Sequence, residues 1–210
     1  MVRSLFLLLL LGLALPAFGD DDDPATKPML LVARKNLPDP FFRESVVLVT
    51  NYGAIGPVGI IVNRPTEVTL AKVFADVERL RTPQAKLFFG GPVRPEEIVV
   101  LFRAASAPPE TTRILEGLYI TSNPETLRKV LTKEIPADDL RVFGGHAGWG
   151  PGQLESEIAR NDWHLTAVDA KTIFEKKPES LWQELERKAS AIMAWLSSGS
   201  AHRERTPSRP

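Results

Sequence analysis

The stretch Ser45-Val46-Val47-Leu48-Val49-Thr50-Asn51-Tyr52-Gly53-Ala54-Ile55-Gly56-Pro57-Val58-Gly59-Ile60-Ile61-Val62 holds two apolar, β-branched runs separated by turn residues. Such runs, bounded by glycine and proline, predict β-strands. The second run, from Val58 to Val62, is apolar throughout except for Gly59. An unbroken apolar run favours a strand that is covered on both faces. Two neighbouring strands therefore form a buried part of a sheet.

Further segments of both kinds follow the same reasoning. Strands are predicted at Met29–Ala33, Leu87–Phe89, Ile98–Phe102, Ile114–Ile120, Leu140–Phe143 and Trp163–Val168. Helices are predicted at 69–80, after Asn123, at 153–160, at 169–174 and from Pro178 to Leu196. Because strands come in clusters and do not alternate strictly with helices, the pattern favours an α+β single domain with a mixed sheet flanked by helices.

The two ends of the chain differ from this domain. Residues 1–19 combine Arg3, the apolar run Leu5–Leu15 and a small-residue junction, which is typical of a secretory signal peptide. An uncleaved anchor is the alternative, although about eleven apolar residues fall short of the ~20 that span a bilayer. Residues 20–28 are predicted to be an acidic linker, 29–196 the domain, and 197–210 a disordered basic tail. The mature chain is therefore expected in the periplasm or outside the cell, without a transmembrane helix.

Composition excludes several classes of function. The 210 residues include 26 lysines and arginines and 26 aspartates and glutamates. This balance provides no long-range field to attract nucleic acid, so no nucleic-acid partner is expected. The chain has no cysteine, which excludes disulfides, thiolate nucleophiles and zinc–thiolate sites. No cofactor is predicted.

The chain contains four distinctive motifs: Leu37 to Val47 (LPDPFFRESVV), Gly59 to Pro65 (GIIVNRP), Gly90 to Val93 (GGPV) and Gly148 to Glu155 (GWGPGQLE). Together they resemble the AlgH/YqgE family. The resemblance covers roughly residues 29–190 and implies a compact domain with a mixed, strongly curved sheet. It also implies a family without an established biochemical activity, one branch of which is associated with transcriptional regulation. The sequence departs from the family pattern at Phe102, where histidine is expected, and at His146, where tyrosine is common.

The segment 144–152 has five glycines in nine residues and precedes a predicted helix. It is either an anion site, with backbone N–H groups aimed at the ligand, or a tight loop around a buried Trp149. In the second case, Gly148→Ala and Trp149→Ala should each destabilise the domain by roughly 1–3 kcal/mol.

Asn63 and Arg64 end a predicted strand with an amide and a guanidinium. Such a pair suits a carboxylate or phosphate, or else it caps backbone carbonyls. Arg43 is expected to pair with Asp39 or Glu44. The candidate ligand-binding residues are Arg43, Asn63, Arg64, Gly91, His146 and Trp149.

Catalytic and metal sites are less well supported by the sequence. Ser45, Asp39 and His146 provide the residue types of a catalytic triad, but no nucleophile-elbow motif is present. His146, His164 and Glu155 provide metal-ligand types without a metal-binding spacing. The sequence thus favours a non-enzymatic binding or regulatory module with a small anion or a protein as partner. The alternative is a small-anion-dependent, hydrolase-like enzyme that uses the segment 144–152 with Arg64.

Overall fold

The computed structural model describes residues 27–53, 56–82, 85–133 and 135–203. The strands are β1 Met29–Ala33, β2 Val46–Gly53, β3 Gly56–Ile61, β4 Pro65–Thr69, β5 Lys86–Phe89, β6 Val93–Arg103, β7 Thr112–Leu115, β8 Leu118–Thr121, β9 Leu140–Gly148 and β10 Trp163–Ala167. The helices are α1 Leu70–Val73, α2 Pro124–Thr132, α3 Gln153–Ala159, α4 Ala170–Phe174 and α5 Pro178–Arg203. These elements form one α+β domain, as the sequence predicts.

The strands form a single curled, largely antiparallel sheet. Its order is β10-β1-β2-β3-β9-β6-β8-β7, and each neighbouring pair in this order is antiparallel. Strand β5 joins β9 in parallel and pairs with β4 in the antiparallel sense. The prediction of a mixed, curved sheet is therefore confirmed. Strand β9 contacts β3, β5 and β6, so its backbone lies at the centre of the fold.

The core lies on both sides of this sheet. On one side, the continuous apolar runs of β1, β2 and β3 are buried, with Leu31, Val47 and Ile61 fully enclosed. On the other side, α2 packs its apolar residues against β6 and β9. Asn123 caps α2 by accepting hydrogen bonds from the backbone N–H groups of Glu125 and Thr126, as its position before Pro124 predicts.

The prediction of one continuous helix at 69–80 is wrong. The chain forms only α1 and a 3₁₀ turn at Glu78–Leu80, because Phe74 leaves helical geometry at φ −129° and ψ 63°. Leu70 and Leu80 are nevertheless buried, as the helical spacing predicts. Arg79 stabilises the irregular segment by donating hydrogen bonds to the carbonyls of Leu131 and Ile135, both at 2.5 Å.

Two further segments differ from their predicted structure. Residues 114–120 form the hairpin of β7 and β8, not one strand, and Gly117 makes the turn at φ 76°. The glycine-rich segment is not a loop throughout, since β9 continues to Gly148.

At the chain ends, helix α5 extends to Arg203, so that 197–203, which the sequence assigns to the tail, are helical. The predicted signal peptide 1–19, most of the linker 20–28 and the end of the tail, 204–210, lie outside the described residues. Within the described ranges, every helix is too short or too polar to cross a bilayer.

Candidate functional site

Asn63 and Arg64 fasten the loop between β1 and β2 to the end of β3. The Asn63 side chain accepts a hydrogen bond from Val46 N at 2.8 Å and donates one to Glu44 O at 3.0 Å. Arg64 donates to Phe41 O at 2.6 Å and to Arg43 O at 2.7 Å. The geometry therefore matches the capping of backbone carbonyls, which was one of the two interpretations of this pair.

These hydrogen bonds from Asn63 and Arg64 support the backbone of the loop between β1 and β2. They hold Glu44 in the left-handed region, at φ 56°, where a non-glycine residue requires support from its surroundings. Burial lowers the pKa of Arg64 below its usual value. Arg43 takes part through its carbonyl group, while the residue itself is exposed.

Trp149 belongs to an aromatic cluster and is 4% exposed. Phe42 stacks on it with ring centroids 5.9 Å apart, and Trp163 meets both rings edge-on. The Glu157 carboxylate on α3 accepts hydrogen bonds from the indole N–H groups of Trp149 and Trp163, each at 2.9 Å, through the same oxygen. The cluster joins the β1–β2 loop, the end of β9, α3 and β10.

Gly91 lies where the β5–β6 connection crosses β9. A Cβ atom on Gly91 would lie 2.2 Å from the carbonyl carbon and oxygen of His146, and one on Gly90 would lie 2.2 Å from Gly145 O. Only glycine permits this approach of two backbones. Gly91 thus contacts His146 through the main chain.

His146 lines a cavity of about 500 Å³ on the sheet, together with Glu97, Arg94 and the hydroxyl residues Thr50, Thr112, Thr121 and Ser122. Apolar residues of β3, β6 and β8 complete the lining. The Glu97 carboxylate lies 3.8 Å from His146 Nδ1 and 3.8 Å from a terminal guanidinium nitrogen of Arg94. Arg94 adopts φ 45°, in the left-handed region. The cavity thus gathers three ionisable side chains at ion-pair distance.

Comparison with known proteins identifies the family. The AlgH-like family matches residues 30–193, which is most of the chain. The chain belongs to the AlgH-like family. Among its relatives, a UPF0301 protein of Thioalkalivibrio sulfidiphilus is 34% identical over 175 residues, and one of Stenotrophomonas maltophilia is 36% identical over 177. Each alignment covers 82% of this chain and 94% of the relative.

Two solved structures have the same fold. The solution structure of the AlgH protein from Pseudomonas aeruginosa superimposes with a TM-score of 0.62 at 25% identity, and the match covers 90% of this chain and 98% of that one. A crystal structure of a Corynebacterium diphtheriae protein gives a TM-score of 0.66 at 23% identity, covering 80% and 88% of the two chains. The family resemblance predicted from the four motifs is therefore confirmed.

The residue types considered for catalysis in this AlgH-like domain are engaged separately. The Ser45 hydroxyl is buried and donates to Phe42 O at 2.6 Å. Asp39 accepts a hydrogen bond from Phe41 N at 2.7 Å, whereas His146 lies beside Glu97. Within the described ranges, no three histidine, aspartate or glutamate side chains are grouped as metal ligands.

The structure thus separates residues that the sequence placed together. Arg64 is not among the residues that line the His146 cavity, and the Gly150 N–H donates to the side chain of Gln153 at 3.1 Å. Sequence reasoning missed Glu97, Arg94 and Glu157. Glu97 and Arg94 reach the cavity through the pairing of β6 with β9, in which Val93 lies opposite His146.

Proposed function

We propose that this AlgH-like protein is an exported, non-enzymatic binding module whose small ligand occupies the cavity at His146. The observation that carries the proposal is the position of Glu97 between His146 and Arg94 at the edge of a cavity of about 500 Å³. Cavities of this size with a few convergent polar groups are typical of small-molecule sites. A regulatory role would follow if occupancy of the cavity altered contacts with a protein partner.

The polar groups of the cavity favour a ligand with both an anionic group and hydrogen-bond donors. Arg94 provides a guanidinium for a carboxylate, and Glu97 provides an acceptor for an ammonium or hydroxyl group. The distances of 3.8 Å from Glu97 to its two neighbours exceed hydrogen-bonding length, so all three groups keep capacity for a ligand. Amino acids and hydroxy acids have this combination of groups.

Two features support binding over the hydrolase-like alternative. The Thr121 hydroxyl in the cavity donates to Glu110 O at 2.9 Å, so it is directed to the backbone and not to His146. The guanidinium of Arg64, on which the alternative depends, donates to two carbonyls at 2.6 and 2.7 Å. A nucleophile needs a base within hydrogen-bonding reach, and the Thr121 hydroxyl is hydrogen-bonded to the backbone instead. The Arg64 guanidinium is likewise engaged with backbone carbonyls, so it does not bind the anion that the alternative requires.

The binding proposal is tested by thermal shift and calorimetry against a panel of amino acids and hydroxy acids. At least one compound should raise the melting temperature of the full chain. Glu97→Gln and His146→Ala should reduce its affinity at least tenfold and leave the unliganded melting temperature within a few degrees. Both side chains are partly exposed, at 33% and 19%, so their loss leaves no large cavity in the core.

Glu96→Gln is the matched control, because Glu96 is the exposed neighbour of Glu97 and does not line this cavity. It should bind the panel compound like the wild type. Equal affinity in the Glu97→Gln and wild-type proteins, or turnover of the compound that ceases in His146→Ala, would refute the proposal.

Export has its own test. Expressed in a Gram-negative host, the protein should be recovered from the periplasm with an N-terminus near Asp20, because residues 1–19 have the organisation of a signal peptide. Fractionation followed by N-terminal sequencing measures both properties. Recovery of a soluble cytoplasmic protein that retains residues 1–19 would contradict export and leave the binding proposal standing.

A further inference from the structure

A smaller cavity, of about 190 Å³, lies where the parallel strands β5 and β9 begin. Both strands contribute side chains to it, and so do the 3₁₀ turn at Glu78–Leu80 and the end of α4. Most of its wall is apolar and is formed by Leu70, Leu80, Phe88, Leu140, Val142 and Phe174. This cavity and the one at His146 share no lining residue.

Arg141 places a guanidinium in the wall of this cavity. Its central carbon lies 4.9 Å from the ring centroid of Phe88 and 5.7 Å from that of Phe174, and both residues line the cavity. A guanidinium has five N–H donors. Among the described residues, Arg141 donates one hydrogen bond, from Nη2 to Phe174 O at 3.4 Å, and has no carboxylate within 4 Å. Most of its donors therefore lack a protein acceptor.

The neighbouring Arg103 has the partners that Arg141 lacks. The central carbon of Arg103 lies 5.1 Å from the centroid of the same Phe174 ring. Asp139 and Glu175 both form ion pairs with it. The carboxylates closest to this group of aromatic and basic side chains are thus already engaged, and Arg141 is left without one.

Burial has a cost for Arg141. It lowers the pKa of Arg141 to about 10, and the more distant carboxylates of Glu179 and Asp138 offset this only in part. The guanidinium is still protonated at pH 7. A charged group that loses hydration without gaining a partner destabilises the fold. An anion bound at Arg141 would remove this cost.

The other charged groups at the cavity favour a ligand with one negative charge. Arg79 and Lys86 line it together with Arg141, and Asp138 is the carboxylate among its described lining residues. Three cations attract an anion, whereas Asp138 and the apolar wall oppose a strongly hydrated dianion. An engineered apolar cavity of about 150 Å³ binds benzene, so the volume here suits a group of about that size.

We propose that this cavity binds a small monocarboxylate, with its carboxylate paired to Arg141 and a compact apolar group against the apolar wall. The planar fork of a guanidinium matches the two oxygens of a carboxylate, and the apolar wall accounts for the rest of the molecule. Such a ligand lacks the ammonium or hydroxyl group proposed for the ligand at His146. The two sites are independent, and their ligands are not expected to compete.

Isothermal titration calorimetry of the full chain with benzoate at neutral pH tests the site, with benzamide and inorganic phosphate as comparison compounds. Benzoate should bind at least about tenfold more tightly than either, because benzamide lacks the charge and phosphate lacks the ring. Arg141→Met keeps an unbranched side chain without the charge and should weaken benzoate at least about tenfold. Arg113→Met, the same change at an exposed arginine of β7 outside the cavity, should leave benzoate binding unchanged.

Asp138→Asn provides a second variant that leaves the core intact, because Asp138 is exposed. Removing its negative charge should tighten benzoate about twofold or more and leave benzamide unchanged. The proposal is overturned if benzoate does not bind, if benzamide binds as tightly, or if folded Arg141→Met binds benzoate like the wild type. Should Arg141→Met not fold, unchanged or weaker binding of benzoate by Asp138→Asn overturns it.

Discussion

Replacing Gly90 by alanine is expected to lower the free energy of unfolding by at least about 3 kcal/mol, at the upper end of the cost of overpacking. The added methyl group would lie 2.2 Å from the carbonyl oxygen of Gly145 and 3.1 Å from Phe143 Cβ. Gly145 belongs to β9, which is held by strands on both sides, so its carbonyl cannot move aside cheaply. Urea denaturation followed by far-UV circular dichroism measures the loss.

Gly148→Ala is the control for Gly90→Ala. Gly148 lies in the same strand as Gly145, but the nearest atom to its added Cβ is Val93 Cγ2 at 4.0 Å, which is an ordinary contact. A change within about 1 kcal/mol is expected. The sequence predicted a larger effect at Gly148, and the structure contradicts that prediction because Gly148 has room for a side chain. Comparable losses in the two variants would show that the backbone crossing at Gly90 is not the cause.

Replacing Glu157 by alanine is expected to cost about 2–4 kcal/mol, because two buried indole N–H groups lose their acceptor at once. Trp149 and Trp163 are each 4% exposed, so water does not readily replace the carboxylate. Glu157 also accepts a hydrogen bond from Gln153 at 2.9 Å, and this contact orients its second oxygen. Urea denaturation gives the stability, and tryptophan fluorescence of the folded protein reports the environment of the two indoles.

Glu155→Ala serves as the matched control, since Glu155 is an exposed glutamate on the same helix. Its replacement should change stability by no more than about 0.5 kcal/mol. The stability of Glu157→Gln should lie between those of the two alanine variants. Its amide keeps one acceptor oxygen for the two indoles but turns an N–H group toward the Gln153 side-chain donor. If Glu157→Ala were as stable as Glu155→Ala, the carboxylate bridge would carry no net stabilisation.

Burial was more predictable from the sequence than geometry. The spacing of Leu70, Val77 and Leu80 correctly marks buried positions, but Val73 of the same series is exposed. The segment is irregular, and Arg79 holds it by hydrogen bonds to carbonyls more than fifty residues away. Local periodicity contains no information on such a distant partner. Segments whose boundaries depend on local chemistry, such as α4 with its Asp169 cap, were placed correctly.

The candidate site was predictable only in part, for the same reason. His146 and Trp149 were found because they interrupt a glycine-rich segment, which is a signal in the sequence itself. Glu97 gives no such signal, because its relation to His146 follows from the register of β6 against β9. Glu157 was overlooked because an acidic residue on a short helix is ordinarily solvated, and only the fold turns it toward two indoles.

The pairing of β1 with β10 has a consequence for the order of events during synthesis. Met29 lies opposite Ala167, and the central strand β9 begins only at Leu140. While the ribosome is still making the last third of the chain, β1 has only β2 as a neighbour, and β3 and β6 lack their partner on one side. Contacts between distant segments also slow folding. The nascent chain is therefore expected to stay loosely structured until late in translation, a state that suits the export proposed above.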